Sequence, residues 1–447
     1  METNNRSFFE RLNGWLKTSI TIKLISMGVI ILLLMIPSSM IQDIIRERES
    51  TNTEAIDEVS SKWGGSQTIS GPIISVPYKI VYRQENGYTS EATEYYHFLP
   101  EYLKITGEVV PEKRYRGIHE VVVYKSNLLI TGKLIKPKIT DSDIDPSKIM
   151  WKDAFIQMGL SDMRGINENI KMDLDKKEFS FNPGIPTNDI VASGVSAPLN
   201  NIDSLNTEMN FDIKISLNGS SNLFFSPLGK ETIVNIKSSW SDPSFDGAFL
   251  PDNRKIDAAG FTADWKVIHL NRNYPQQWRS SKFNINGSNF GVNFMVPVDH
   301  YTKTTRSAKY SFLVIFLTFL GFFFVEVFIK KRIHPFQYIL IGLAICLFYT
   351  LVLSLSEHIG FNMAYIVSTI LTIGAISLYA SGIFKNTKTT ILLSSVLVTL
   401  YGFIYIIIQL QDYSLLVGNI GLFIILVAIM YFSRKINWYP DNSENNN

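Results

Sequence analysis

The sequence predicts an integral membrane protein with six transmembrane α-helices, one N-terminal and five C-terminal, and a large inserted extracytoplasmic domain that is mainly antiparallel β. Three observations predict it. Residues 311–432 carry five apolar runs in close succession, a further run follows a basic leader near the N-terminus, and the long segment between them alternates apolar and polar residues.

The five runs cover residues 311–329, 336–355, 361–379, 391–410 and 414–432. About 20 mostly apolar residues cross the roughly 30 Å of hydrocarbon in a bilayer, so each run is of spanning length. The breaks alternate in charge: Lys330, Lys331 and Arg332, then Glu357 and His358, then Lys385 and Lys388, then Asp412, then Arg434 and Lys435. Basic residues in short loops mark the cytoplasmic side. The first, third and fifth breaks are therefore expected inside, and the other two outside. Tyr310, Tyr338, Tyr379, Tyr413, Tyr431 and Trp438 lie near run ends, where amphipathic rings favour the membrane interface.

Arg6, Arg11, Lys17 and Lys23 precede an apolar run over residues 24–41. Two readings fit it, a membrane helix and a cleaved signal peptide ending near Pro37, Ser38 and Ser39. The long basic region and the weak cleavage pattern favour the helix. Either way the following segment lies outside, because the basic leader holds the N-terminus in the cytoplasm. The expected organisation is a cytoplasmic segment 1–23, a helix 24–41, a periplasmic domain 42–309, a bundle 310–432 and a cytoplasmic polar tail 433–447. Residues 441–447 are too polar to bury anything.

The periplasmic segment opens as a helix. Ile41, Ile44, Ile45, Ile56, Val59 and Trp63 recur at near-helical spacing until Gly64 and Gly65. The period then becomes two: Phe211, Ile213, Ile215 and Leu217 alternate with Asp212, Lys214 and Ser216, and Phe290, Val292, Phe294 and Val296 alternate with Gly291, Asn293 and Met295. Further strands are expected at 73–82, 93–99, 118–124, 232–237 and 263–270, with Glu85, Asn86 and Gly87 as a hairpin turn. A sandwich or curved sheet follows.

Composition narrows the chemistry. The chain of 447 residues has a net charge of only +2, which gives no support to nucleic-acid binding. Its one cysteine, Cys346, falls inside a run and reads as packing, and no disulfide within one chain is possible. No glycine-rich phosphate loop, paired-histidine zinc helix or nucleophile elbow occurs. His97, His119, His269 and His300 stand singly in strand or loop contexts, without metal spacing. The expectation is a protein without catalytic residues, metal or cofactor.

Five residues stand out as candidates. Glu326 is the only acid within a run, and mid-bilayer charge costs about 2.5–3.5 kcal/mol on insertion scales. It lies near its helix end with Lys330 four residues on, so an interfacial ion pair is favoured over an ion-coupling site. Glu357 and His358 sit at a helix end, where a histidine titrates near neutral pH and solvation is the simpler role. His334 and Pro335 open the same helix, with Pro suited to its first turn. Asp162 and Arg164, beside Gly165, form a polar cluster suited to a polar ligand, with a turn-holding ion pair as the simpler reading.

The chain resembles the CreD family of inner-membrane proteins. The matching blocks are Leu34 to Pro37, Gly71 to Ile73, His97 to Pro100, Arg164 to Ile166, and Trp240 with Pro243, Ser244, Phe245, Gly247 and Phe249 to Pro251. In the bundle they are Lys309 and Tyr310, Glu326, His334 and Pro335 with Gln337 and Tyr338, Leu355 to His358 with Gly360 and Phe361, and Trp438 and Tyr439. The resemblance implies an uncleaved first helix, a large periplasmic domain and a helical bundle. It further implies a role in cell envelope integrity or envelope stress response, with expression in some bacteria under a two-component system. It carries over no reaction, cofactor or catalytic residue. The expected partners are membrane lipids and an envelope protein, lipid or cell-wall component. A transporter or lipid-handling protein that captures substrate with its outer domain is the second expectation, and a membrane hydrolase built around His358 or Asp162 a distant third.

Overall fold

The computed structural model describes residues 20–83, 89–139, 141, 144–200, 205–294, 299–329, 331–410 and 413–434. The expectations for Arg6, Arg11, Lys17, the turn at Glu85 to Gly87, Met295, Val296, Lys330, Asp412, Lys435, Trp438 and the tail 441–447 lie outside these residues. The chain forms two compact units, Met1–Thr51 with Val298–Asn447, and Asn52–Pro297.

In the first unit, α1 (Ile20–Trp63) is one 44-residue helix that continues through Pro37 and runs on into the second unit. The unit then contains α2 (Asp299–Lys309), α3 (Ser311–Ile329), α4 (Pro335–Ile359), α5 (Phe361–Phe384), α6 (Thr387–Gln409) and α7 (Ser414–Ser433). All of these but α2 are long and apolar enough to span a membrane. The five C-terminal ones coincide with the five runs read from the sequence.

Local chemistry sets the helix ends. His334 caps α4, its Nδ1 accepting from Phe336 N–H at 3.2 Å, while the Gln337 side chain accepts from His334 N–H at 3.0 Å. This reciprocal arrangement satisfies two otherwise orphaned donors. Gly360, at φ 75°, lets the chain turn between α4 and α5. Asn386 caps α6 by accepting from Lys388 N–H at 3.0 Å.

The first helix is part of the bundle. Met27, Ile30, Ile31, Leu34, Ile41 and Ile45 belong to the same buried cluster as Phe319, Phe322, Ile345 and Tyr401. Gly342 of α4 makes room for Leu34, since a Cβ there would stand 2.1 Å from the Leu34 Cδ1. Ser38 and Ser311, both buried, share a hydrogen bond of 2.6 Å. An uncleaved first helix keeps these contacts in the core, in keeping with the anchor reading. Large apolar side chains such as Leu32, Leu378, Leu415 and Phe423 stay exposed, as helices facing lipid require.

The second unit is a two-sheet β structure. Its strands are β1 (Gln67–Arg83), β2 (Thr89–Phe98), β3 (Tyr102–Arg116), β4 (His119–Ile135), β5 (Phe155–Leu160), β6 (Lys171–Leu174), β7 (Lys177–Ser180), β8 (Asn182–Pro183) and β9 (Gly194–Pro198). They continue with β10 (Glu208–Ser220), β11 (Asn222–Phe225), β12 (Glu231–Ser238), β13 (Ser244–Gly247), β14 (Asn253–Asp257), β15 (Gly260–Ile268), β16 (Gln277–Arg279) and β17 (Phe290–Asn293). One sheet has the order β13-β17-β11-β1-β5-β9-β8, with β2 beside β1 and β16 on β2; the other runs β14-β15-β12-β3-β4-β10-β6-β7. Residues from both sheets, Ile74 and Leu223 from one and Ile130 and Phe211 from the other, share a single buried cluster. That is a sandwich.

Pairing is antiparallel except between β1 and β11 and between β3 and β12. These two parallel pairs join strands far apart in sequence, which local alternation does not report. The alternation itself maps onto burial: along β10, Phe211, Ile213, Ile215 and Leu217 are buried, and Asp212 and Lys214 are exposed.

Candidate functional site

Glu326 is 4% exposed near the end of α3, and three donors converge on it. Lys23 Nζ of α1 stands 2.6 Å from Oε1, Ile333 N–H donates to the same oxygen at 3.0 Å, and Tyr338 O–H donates to Oε2 at 3.2 Å. Lys330, the partner expected from helix spacing, lies outside the described residues; the cation the structure supplies is 303 residues away. Tyr338 corrects the sequence reading. It is buried, 3% exposed, against Phe319 and serves the carboxylate rather than the membrane interface. The HP-x-QY block is therefore one device, in which His334 and Gln337 cap α4 and Tyr338 reaches back to the acid on α3.

Glu357 and His358 lie at the far end of α4. Tyr301 of α2, itself buried, donates to Glu357 Oε1 at 2.9 Å, and His358 is exposed. Burial, then the hydrogen bond to Glu357, raises the Tyr301 phenol above its ordinary value, so it stays a donor at neutral pH. Nineteen residues separate Tyr338 from Glu357 on α4, which at about 1.5 Å per residue puts Glu326 and Glu357 at opposite ends of the bundle.

Asp162 and Arg164 belong to the β unit. Arg164 is bidentate on Asp162, Nε at 2.9 Å and a terminal nitrogen at 2.8 Å, and its other terminal nitrogen donates to Ser61 O at 2.7 Å. Gly65 N–H donates to Asp162 Oδ2 at 2.8 Å. The hydrogen bond from Arg164 holds the carboxyl below its ordinary range, with burial opposing and Gly65 assisting. The pair fastens the end of α1, Arg164 through Ser61 O and Asp162 through the Gly65 amide. Gly64, at φ 138°, ends that helix where a Cβ would stand 2.7 Å from Asn218 O. The five candidates thus fall into three separate places.

One grouping escaped the sequence reading. Ser75 on β1 hydrogen-bonds His97 Nδ1 on β2 at 2.8 Å, and His97 Nε2 meets Asp189 Oδ2 at 3.1 Å. The order of groups is that of a hydrolase triad. However, Ser75 and His97 are both 0% exposed, with Trp278 and Tyr95 against the imidazole. Hydrogen bonding to His97 lowers the Asp189 carboxyl despite its burial. The only sequence signal was the HFLP block, which names His97 but neither partner.

The bundle also holds an open cleft of about 550 Å³ between α3, α6 and α7. Its walls are apolar except for Ser395 and Thr399, and the Thr399 hydroxyl is already spent on Ser395 O at 2.9 Å.

Comparison with known proteins finds similarity over most of the chain. The family model described as inner membrane protein CreD matches residues 19–439. The inner membrane protein CreD of Escherichia coli (strain K12) is 30% identical over 431 residues, which is 95% of each chain. The chain therefore belongs to the CreD family of inner membrane proteins.

Proposed function

We propose that this protein is a non-catalytic inner-membrane component that supports cell envelope integrity, its β unit periplasmic and both termini cytoplasmic. The observation that carries the non-catalytic half is the closure of its reactive groups. Ser75 and His97 are sealed in the sandwich, so a substrate carbonyl does not reach them, and the bundle acid Glu326 is saturated by Lys23, Tyr338 and the Ile333 amide. A coupling site for ions needs a carboxylate that can release its partner. The integrity half rests on the family resemblance.

The test is dye entry and detergent sensitivity in cells lacking the protein, compared with cells carrying it on a plasmid. Leakage restored by the plasmid supports the role; unchanged permeability in both sinks it. Ser75→Ala on the plasmid should restore the barrier as well as wild type does. Failure by a Ser75→Ala protein of normal abundance would instead point to a hydrolase.

The cleft favours a second reading, lipid handling. A path for polar solutes needs a run of hydroxyl or charged groups along its wall, and this wall offers only Ser395 and Thr399.

A further inference from the structure

The last helix, α7, is packed unlike the others. Its sole buried residue among the described ones is Gly421, where a Cβ would stand 1.9 Å from the Phe403 ring of α6. Away from that point Gly321 of α3 and Ala428 of α7 leave the cleft open. An apolar cavity of this kind does not hold water, and in a bilayer the material beside it is acyl chain. About 550 Å³ lies in the usual range for small-ligand sites, about 300–1,000 Å³.

Past one end of the cleft the chain continues into basic residues. Phe328 and Phe432 line it and their rings lie 6.5 Å apart, so α3 and α7 finish at the same level. Arg332 follows Phe328 by four residues and Arg434 follows Phe432 by two. Both are exposed. Among the described residues no carboxylate pairs with either. Guanidinium groups match phosphate oxygens in a bidentate geometry, and basic groups beside spanning helices attract anionic headgroups.

We propose that the cleft between α3, α6 and α7 is a binding site for an anionic phospholipid, its acyl chain lying in the cleft and its phosphate at Arg332 and Arg434. The site stands whether or not the integrity reading does. It requires only that the bundle lie in a membrane.

The experiment is native mass spectrometry of the delipidated full-length protein, titrated with phosphatidylglycerol and with phosphatidylethanolamine of the same acyl chains. Wild type should retain phosphatidylglycerol in clear preference. The pair R332Q/R434Q, exposed residues whose change leaves the core intact, should reduce that preference roughly tenfold or more. Ala428→Phe, which fills the cleft, should weaken both lipids alike, with its helical melting curve confirming the fold. Equal retention of the two lipids by wild type overturns the proposal, as does a preference that survives R332Q/R434Q or adducts that survive Ala428→Phe. A two-chain mass abolished by Ala428→Phe also overturns it, because a second copy would then be the occupant.

Discussion

At the scale of single residues, two acids each act as a fastening. Asp162 accepts from Arg164 and Gly65; its removal takes the acceptor from the half-buried Gly65 amide and loosens the exposed Arg164, which keeps Ser61 O, a cost of about 1 kcal/mol. Asp162→Ala should therefore lower the melting temperature of the β unit; Asp162→Asn, which keeps one acceptor, should lower it less. Tryptophan fluorescence is the right probe, since Trp63, Trp151, Trp240, Trp265 and Trp278 all fall in that unit. The folded-state pKa of Asp162 is depressed, so its contribution is full above the unfolded value of about 3.9 and is lost as pH falls through the lower folded value. Wild type should lose stability below about pH 4 more steeply than Asp162→Asn; equal slopes would show that the carboxylate is not what acid attacks. Glu326 is the other fastening. Breaking a buried pair from one side costs about 3–5 kcal/mol, and Lys23, a third exposed, moves the expectation for Glu326→Ala to the lower end. Replacing both residues, as K23M/E326L, should cost less than Glu326→Ala alone, because no charge is then stranded. Helical circular dichroism in detergent reads this, and additive costs would mean that the two residues are not coupled.

At the scale of elements, what the sequence made legible was what is local. Run length and apolarity placed α3 to α7 to within a few residues, and alternation placed β10 with the correct face inward. The end of α1 at Gly64 was also readable, because a glycine that must take φ 138° announces itself after a helical stripe. Long-range partners were not. Nothing near Glu326 names Lys23, and Ser75, His97 and Asp189 come from three segments whose meeting depends on β1 and β2 pairing in register and on the loop before β9 folding over them. The parallel pairs β1–β11 and β3–β12 were missed for the same reason. The α1–α4 contact is another such case and gives a test. Gly342→Ala forces a methyl into Leu34, which is buried and has little room to swing, so overpacking should cost about 1–3 kcal/mol. Adding Leu34→Ala should return part of that loss. A double variant worse than the sum of the singles would mean that Leu34 does not close on Gly342.

At the scale of the whole molecule, the bundle sorts its short-loop charges by end. Lys23 of α1 meets Glu326 near the end of α3, and the Phe384 ring of α5 lies 6.2 Å from Phe322 of α3, so Lys23, Lys331, Arg332, Lys385 and Lys388 share one end with Arg434. Glu357 and His358 occupy the other. Lys303, Arg306 and Lys309 of α2 run against the pattern, yet they close a long segment, and long segments cross regardless of charge. The end rich in basic short loops should therefore be cytoplasmic. Cys346 is the only cysteine and is buried, so a Cys346→Ala background accepts single reporters cleanly. His358→Cys and Lys388→Cys place exposed thiols at opposite ends. A membrane-impermeant maleimide applied to spheroplasts should label the first at once and the second only after the membrane is opened. The reverse order would invert the bundle, put the β unit's helical connection α2 on the cytoplasmic side, and remove the basis for a periplasmic sandwich.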